Sequence, residues 1–387
     1  MQSKSQTQTK PKIAILGAGL MGRMLAVSLK DDYDIELFDQ DSGDGQQSAA
    51  YLAAAMLAPL AESADATKPI MTLGQLALQR WPFFLKKLSE PVFFQKEGSL
   101  VLAFEQDLGN LRQFKSRLKG DEFEVVDSDR IAELEPEINE RFKEGVFLPT
   151  EGQLDNRELL EALGKEIESS DVVWYHNAFI SHTEEDGFLV NGEPLTDFMG
   201  EFEWIFDCRG FGAKSDTDLI SPDGLSDEAL SQRSLRGVRG EVIRVKAEDV
   251  KLNRPVRLMH PRYPIYITPK EKGVFVIGAT QLESEDTREP TVRSALELLS
   301  ACFSVHSGFA EAEILAILSG IRPAYLDNEP KIYIKDRVIS VNGLFRHGYL
   351  LAPVMVEQCI NILKGEHAAS VISKIMPEMV QDLREGG

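Results

Sequence analysis

The stretch KIAILGAGLMG, residues 12–22, joins a short apolar strand to a glycine-rich turn and the start of a helix. Gly17, Gly19 and Gly22 follow the GxGxxG pattern of dinucleotide-binding βαβ units. The first glycine permits the tight turn, the second lets the backbone approach a pyrophosphate, and the third lets helix and strand pack closely. The phosphates of such a ligand lie at the helix N-terminus. We therefore predict a dinucleotide site here, with a purely structural turn as the alternative.

Two further elements narrow the choice of dinucleotide. Asp39 ends the second predicted strand, where a carboxylate accepts hydrogen bonds from a ribose and disfavours a 2′-phosphate. This position favours FAD or NAD over NADP. The segment WIFDCRGFG, residues 204–212, is a second strand that runs into a glycine turn at Gly210. That element is typical of two-domain FAD oxidoreductases and favours FAD, with an ordinary strand and turn as the alternative.

Composition excludes several classes of partner. The chain has 387 residues, 42 basic and 62 acidic, and a net charge of −20. This length predicts about two to three domains. This excess of acidic residues disfavours nucleic acid or an anionic membrane surface as the main ligand. Because the sequence has neither a long apolar span nor the apolar core of a secretory signal, we expect a cytoplasmic protein.

The cysteines carry no pattern of a metal site. Cys208, Cys302 and Cys359 are isolated and form no CxxC pair. We interpret them as reduced packing residues and predict no metal ion and no covalently attached flavin.

Hydrophobic periodicity predicts a mixed α/β chain of the α+β kind. The opening βαβ unit is followed by a small-residue helix at residues 48–62 and a mainly helical stretch at 105–142. An antiparallel sheet is predicted from strands at 241–245, 265–268 and 274–279, before a return to helix at 353–363. We expect residues 1–10 to form a disordered arm and residues 216–236 a surface loop.

Three segments place polar side chains among apolar residues. Tyr266 lies in RYPIYITPK, Arg322 in SGIRPAYLDNEP, and Arg346 in NGLFRHGYLLAP. A guanidinium binds a carboxylate through two parallel hydrogen bonds, and a tyrosine hydroxyl can orient the remaining polar atoms. A single arginine is more often a solvated surface residue. Here, however, Arg322 and Arg346 lie in otherwise apolar segments that are bounded by glycine and proline. These surroundings favour a binding site for the two arginines.

Taken together, these motifs resemble the D-amino-acid-oxidase superfamily of FAD oxidoreductases, in particular its branch of bacterial glycine oxidases of thiamine biosynthesis. The resemblance extends from Lys12 to about Gly365. It is carried by GAGLMG with Asp39, AAAMLAPLAE, DCRGFGA, RGEVIRV, HPRYPIYITPK, FVIGAT, GIRPAYLDNEP and NGLFRHGYLLAP.

The resemblance implies a Rossmann-like FAD-binding domain interleaved with a substrate domain built on an antiparallel sheet. We place the FAD-binding domain at residues 11–84, 151–216 and 326–375, and the substrate domain at 85–150 and 217–325. Arg322 is expected to grip the substrate carboxylate, with Tyr266 and Arg346 beside it. The implied residues of the non-covalent FAD site are Gly17, Gly19, Gly22, Asp39, Ala55, Met56, Gly210 and Gly348.

The implied activity is oxidation of glycine, or a similar small amine such as sarcosine, to its imine. Oxygen would be reduced to hydrogen peroxide, and iminoglycine would pass to a thiazole synthase for thiamine synthesis. One alternative is a dehydrogenase of D-amino acids or N-methyl amines that uses another electron acceptor. Another is a flavin-binding assembly partner with little turnover. A homo-oligomer is compatible with the family.

Two stretches depart from the family pattern. Leu344 and His347 stand where many relatives have His and Asn, which leaves secondary polar contacts unassigned. Ala49, Ala50 and Tyr51 replace the SSW of better-known oxidases. Because hydroxyls that could bond the cofactor are missing there, backbone amides or water would have to substitute.

Overall fold

The computed structural model describes residues 10–385, apart from 65, 119–121, 139, 184, 186, 217–232 and 262–263. Nearly all of the predicted N-terminal arm and most of the predicted loop at 216–236 therefore lie outside the described residues. None of the described helices is both long and apolar enough to cross a membrane.

The elements are numbered along the described part of the chain. The helices are α1 (Leu20–Leu29), α2 (Ala49–Leu52), α3 (Lys68–Leu85), α4 (Leu108–Lys115), α5 (Ser128–Leu134), α6 (Asn156–Glu168), α7 (Phe198–Glu201), α8 (Val292–Val305), α9 (Gly348–Leu363) and α10 (Val371–Ile375). The strands are β1 (Lys12–Leu16), β2 (Asp34–Phe38), β3 (Met56–Leu57), β4 (Phe94–Gln95), β5 (Ser99–Ala103), β6 (Glu124–Asp127), β7 (Glu144–Leu148), β8 (Gly152–Leu154), β9 (Val173–Tyr175), β10 (Ile180–Thr183), β11 (Gly187–Val190), β12 (Glu193–Pro194), β13 (Trp204–Asp207), β14 (Arg236–Lys246), β15 (Val256–Met259), β16 (Ile265–Pro269), β17 (Val274–Gly278), β18 (Glu313–Ala324), β19 (Lys331–Lys335), β20 (Val338–Asn342) and β21 (Val380–Asp382).

A seven-stranded sheet forms around the glycine-rich stretch, in the order β21-β19-β20-β13-β1-β2-β9. The pairs are parallel except for β19 with β20. Strand β1 is apolar and buried after Lys12, as expected of a strand that is covered on both faces. Ile13 and Ile15 pack with α1, α3, α6 and α9, whereas Ala14 and Leu16 pack towards β10, β11 and α7. The predicted βαβ opening is confirmed.

An eight-stranded sheet, in the order β18-β14-β17-β16-β15-β5-β7-β6, holds Tyr266 and Arg322, whereas Arg346 lies between β20 and α9. Its pairs are antiparallel apart from β15 with β5. Tyr266 lies on β16 and Arg322 lies on β18, the strand at one edge. The predicted combination of a Rossmann-like sheet and an antiparallel sheet is therefore confirmed. The sheet joins strands separated by more than 200 residues along the chain.

The prediction of one helix at residues 48–62 is wrong. Only Ala49–Leu52 is α-helical, and Met56–Leu57 forms strand β3 of the small antiparallel sheet β3-β8-β4. Ala55 adopts a left-handed backbone with φ of 51°, and Pro59 follows shortly after. Alanine has a high intrinsic helix propensity, but here pairing with β8 overrides it. In the stretch at 105–142, strand β6 separates two short helices, so that prediction is correct only in part.

Candidate active site

One cavity of about 1310 Å³ gathers most of the residues singled out in the sequence. They come from both large sheets and from the segments between them. Lining the cavity are Gly17, Gly19, Asp39, Ala55, Met56, Gly210, Tyr266, Arg322, Arg346 and Gly348. Gly22 is outside this lining.

The three glycines of the first turn differ in their surroundings. Gly17 has a φ of 92°, and a Cβ atom on it would lie 2.8 Å from the backbone of Arg209. A Cβ on Gly22 would lie 1.8 Å from the carbonyl oxygen of Gly17, so Gly22 allows helix and strand to approach. A Cβ on Gly19 would have Ser48 at 3.8 Å as its nearest neighbour. Gly19 therefore keeps the backbone open towards the cavity.

Helix α1 begins at this turn, and none of the described side chains caps its N-terminus. The first N–H groups of a helix have no intrahelical acceptor and carry partial positive charge. Asp39 lies next to them at the end of β2. Its carboxylate accepts hydrogen bonds from the N–H of Ala18 and, at 2.6 Å, from the N–H of Asp41. This corner of the cavity thus presents N–H donors beside one carboxylate.

The second glycine turn is fixed by an ion-pair cluster. The guanidinium of Arg209 lies 2.8 Å from Asp207 and 2.6 Å from Asp216, and these carboxylates raise its pKa although burial opposes the shift. Gly210 has a φ of 58°, and its carbonyl accepts a hydrogen bond from Asn342 at 2.8 Å. The ion pairs of Arg209 and the hydrogen bond from Asn342 thus fix the turn, which lies next to Gly17.

Glycines on neighbouring strands make room for Arg322 and Tyr266. A Cβ on Gly240 would lie 2.1 Å from the guanidinium of Arg322, and one on Gly278 would lie 2.6 Å from the Tyr266 hydroxyl. Arg322 donates to the carbonyl of Thr280 at 3.3 Å and has no carboxylate partner among the described residues. Burial lowers its pKa, which the nearby Tyr266 partly offsets. An unneutralised guanidinium thus faces the cavity.

Arg346 has a protein partner that the sequence did not reveal. Its Nε lies 2.9 Å from Oε2 of Glu62, and its Nη2 donates to Oε1 at 3.2 Å. Arg257 approaches the same carboxylate at 3.4 Å, and Nδ1 of His347 lies 3.9 Å from it. Burial favours the protonated acid, but the guanidiniums of Arg346 and Arg257 prevail and lower the pKa of Glu62 to about 2.

The segments that carry the two candidate arginines are joined. Phe345 has a φ of 50°, and its N–H donates to the carbonyl of Pro323 at 3.0 Å. This bond links the residue before Arg346 to the residue after Arg322. Helix α9 starts directly afterwards at Gly348 and has no side-chain cap among the described residues. Its N-terminus lines the cavity.

Sequence reasoning missed Glu62 and Arg257. Glu62 lies within a quoted motif, but a terminal glutamate in an alanine-rich segment gives no sign of burial. Arg257 offered a signal, since it lies between Val256 and Leu258 in an apolar strand. Two stretches of the sequence depart from the family pattern. In the first stretch, Leu344 and His347 both line the cavity. Tyr51 instead packs under the guanidinium of Arg157, 4.1 Å from its ring centre.

A family model for FAD-dependent oxidoreductases, DAO, matches residues 12–358. The chain belongs to this family. ThiO of Rhizobium etli, named as a thiamine biosynthesis oxidoreductase, is 36% identical to this FAD-dependent oxidoreductase over 92% of this chain and 97% of that protein. The bifunctional protein ThiO/ThiG of Synechocystis is 24% identical over 96% of this chain and 54% of that protein.

Glycine oxidase of Geobacillus kaustophilus is 24% identical over 88% of this chain and 90% of that protein. A crystal structure of glycine oxidase from the same organism superposes on this FAD-dependent oxidoreductase with a TM-score of 0.77. The superposition covers 95% of this chain and 98% of that chain, at 22% identity. This likeness confirms the fold.

The cavity of this FAD-dependent oxidoreductase suits FAD in its donor set. Two uncapped helix N-termini, those of α1 and α9, open onto it. Ala55 also lines it, and the N–H of this buried residue has no acceptor among the described residues. Buried N–H groups are almost always paired. A ligand with phosphate and carbonyl oxygens would satisfy all three sets of donors.

Proposed function

We propose that this enzyme oxidises glycine, or a similarly small amine such as sarcosine, to its imine, with oxygen reduced to hydrogen peroxide. The observation that carries the proposal is the guanidinium of Arg322, which faces the cavity without a carboxylate partner among the described residues. Arg322 is half-buried, and a guanidinium that is partly withdrawn from water without a counter-charge is held at a cost. A substrate carboxylate that binds it would remove this cost and gain two parallel hydrogen bonds.

The charges on the cavity wall around Arg322 support an anionic substrate group. Arg257, Arg322 and Arg346 all line this wall, and Glu62 is ion-paired with Arg257 and Arg346. Glu62 therefore neutralises part of the positive charge and leaves the charge at Arg322 for the ligand. We assign Arg322 to the substrate carboxylate and Arg346 to a supporting position beside it.

Bound FAD supplies the acceptor for the hydride that leaves the substrate α-carbon. The protein must hold that carbon in position, and an arginine clamp on the carboxylate does so. Glu62 is a poor proton acceptor at neutral pH because its pKa is about 2. Because an ammonium nitrogen has no lone pair to drive the loss of hydride, the substrate amine must bind in its neutral form or lose its proton on binding, and Glu62 is not the group that takes this proton.

Tyr266 sets the width of the site in this proposal. Its ring and hydroxyl lie against Gly278, burial raises the pKa of the hydroxyl, and the residue lines the cavity. We assign Tyr266 and Met56 as the walls that leave little room beyond the α-carbon. A narrow site favours glycine and small N-substituted glycines over amino acids with long side chains.

The names of the relatives extend the proposal to a pathway. The Rhizobium etli protein is named for thiamine biosynthesis, and the Synechocystis protein is named as bifunctional ThiO/ThiG. We propose that the imine product is iminoglycine and passes to a thiazole synthase in the cytoplasm. The division into an FAD-binding and a substrate domain, at the boundaries given above, is part of the same proposal.

Oxygen consumption tests the proposed reaction. Glycine, sarcosine and D-alanine are each supplied to the FAD-loaded enzyme in air, and peroxide is measured against oxygen consumed. We expect turnover of glycine or sarcosine with about one peroxide formed for each oxygen consumed. Turnover that needs a quinone or a dye would favour the dehydrogenase alternative. Absence of turnover with glycine and sarcosine under both conditions would refute the proposal.

A further inference from the structure

A buried lysine reaches from the eight-stranded sheet to the wall of the FAD cavity. Lys270 directly follows β16, and only 6% of its surface is exposed. Its ammonium donates to the carbonyls of Leu154 at 2.6 Å and Ala54 at 2.8 Å, and to the side chain of Gln153 at 3.2 Å. Three acceptors match the three protons of an ammonium group.

These contacts surround a strained point of the backbone. Ala55, the residue after one of the bonded carbonyls, has a φ of 51°, a region that costs a residue with a Cβ about 1 kcal/mol or more. Its carbonyl accepts a hydrogen bond from the N–H of Leu154 at 3.1 Å. Lys270 thus bonds both β8 and the segment before β3, at the place where the chain takes this unusual conformation.

The geometry of the peptide group gives the contact a consequence inside the cavity. In a trans peptide the C=O and N–H groups point in opposite directions. Because the carbonyl of Ala54 points to Lys270, the N–H of Ala55 points away from it. That N–H is the buried donor without an acceptor among the described residues, and Ala55 lines the cavity.

We propose that Lys270 is a positioning residue that aims the N–H of Ala55 at an acceptor atom of bound FAD. The lysine itself is outside the cavity lining and acts only through the Ala54–Ala55 peptide. Burial lowers the pKa of Lys270 to about 7, although Asp155 opposes the shift, so the cation is held at a cost. Its three hydrogen bonds offset that cost and fix the peptide.

A matched pair of variants tests this role. Lys270→Met removes all three donors, whereas Lys331→Met removes an equally buried lysine, 6% exposed, whose partners are Asp327 and Glu329 and which lies outside the cavity lining. The dissociation constant of FAD is measured by titrating the apoprotein, and the absorption spectrum of the bound flavin is recorded. Substrate plays no part in either measurement.

We expect Lys270→Met to raise the dissociation constant of FAD by about tenfold or more and to shift the flavin spectrum. Lys331→Met should lose stability but keep both values. If the first variant does not fold, Lys270→Arg retains a cation and should bind FAD with intermediate affinity. Wild-type affinity and spectrum in the folded Lys270 variants would overturn the proposal. The role rests on the FAD cavity alone, so a failure of glycine to react would refute the proposed function and leave this inference standing.

Discussion

At the scale of single residues, the site is organised by one buried carboxylate between two guanidiniums. Glu62 meets Arg346 through two contacts and Arg257 through one. Removing one partner of such a cluster leaves a buried charge without compensation, which is strongly destabilising. Arg322 has no such partner among the described residues, and on this contrast we base the proposal that Arg322 binds the substrate and Arg346 supports it.

Glu62→Gln should show how much this carboxylate stabilises the fold. Its pKa falls from 4.5 in the unfolded chain to about 2 in the folded protein. The contribution is fully present above pH 4.5 and is lost as the pH falls towards 2. We expect the free energy of unfolding of the wild type to be about 3 kcal/mol higher than that of Glu62→Gln at pH 7. At pH 3 we expect this difference to be roughly 1 kcal/mol.

Urea unfolding across this pH range measures the difference. Glu105→Gln is the control, because Glu105 is exposed and should change stability by less than about 0.5 kcal/mol. A difference between wild type and Glu62→Gln that stays constant from pH 7 to pH 3 would contradict the assigned ionisation.

The sequence could predict Arg322, Arg346 and Tyr266 because each lies in a motif of the family. It could not predict Glu62 as the partner of Arg346. Sequence distance hides this contact, since Glu62 and Arg346 are 284 positions apart. Lys270 shows the same limit, because a lysine after a strand usually lies in solvent, and only the fold brings it to Ala54.

At the scale of elements, glycines on neighbouring strands leave the space that the functional side chains occupy. Gly240 on β14 pairs with Gly320 on β18, two residues before Arg322. A Cβ at Gly240 would collide with the guanidinium, which lies at the end of a flexible side chain. The side chain would move before the strand did, so the damage should fall on substrate binding.

Gly240→Ala should therefore raise the apparent dissociation constant for glycine by at least about tenfold and leave FAD bound. Anaerobic flavin reduction at increasing glycine concentration gives this constant. Gly109→Ala, on α4, is the control because a Cβ there has nothing within 4 Å. An unchanged constant in Gly240→Ala would show that Arg322 does not contact the substrate.

Elements with a strong local signal were predictable, and those set by tertiary contacts were not. The apolar run of β1 and the glycines after it predicted the βαβ unit correctly. The alanine-rich stretch at 48–62 predicted a helix, but strand pairing with β8 and the left-handed Ala55 prevail. A sequence of small residues suits both helices and backbones that approach a ligand, and periodicity does not separate them.

At the scale of the whole molecule, a net charge of −20 excluded classes of partner but gave no sign of the site. The part of the cavity wall around Glu62 has the opposite local character, because Arg257, Arg322 and Arg346 lie there with this one glutamate. The two large sheets meet there, and each contributes side chains or glycine turns to its wall. Function therefore depends on the local field of a few buried groups, which far outweighs the average charge.

Anaerobic mixing of the FAD-loaded enzyme with glycine, followed by flavin absorbance, tests the central claim that Arg322 holds the substrate carboxylate against the flavin. We predict that glycine bleaches the flavin in wild type and that Arg322→Ala binds FAD normally but loses at least about a hundredfold in the rate of bleaching at subsaturating glycine. Wild-type bleaching in Arg322→Ala, with FAD fully bound, would contradict the account.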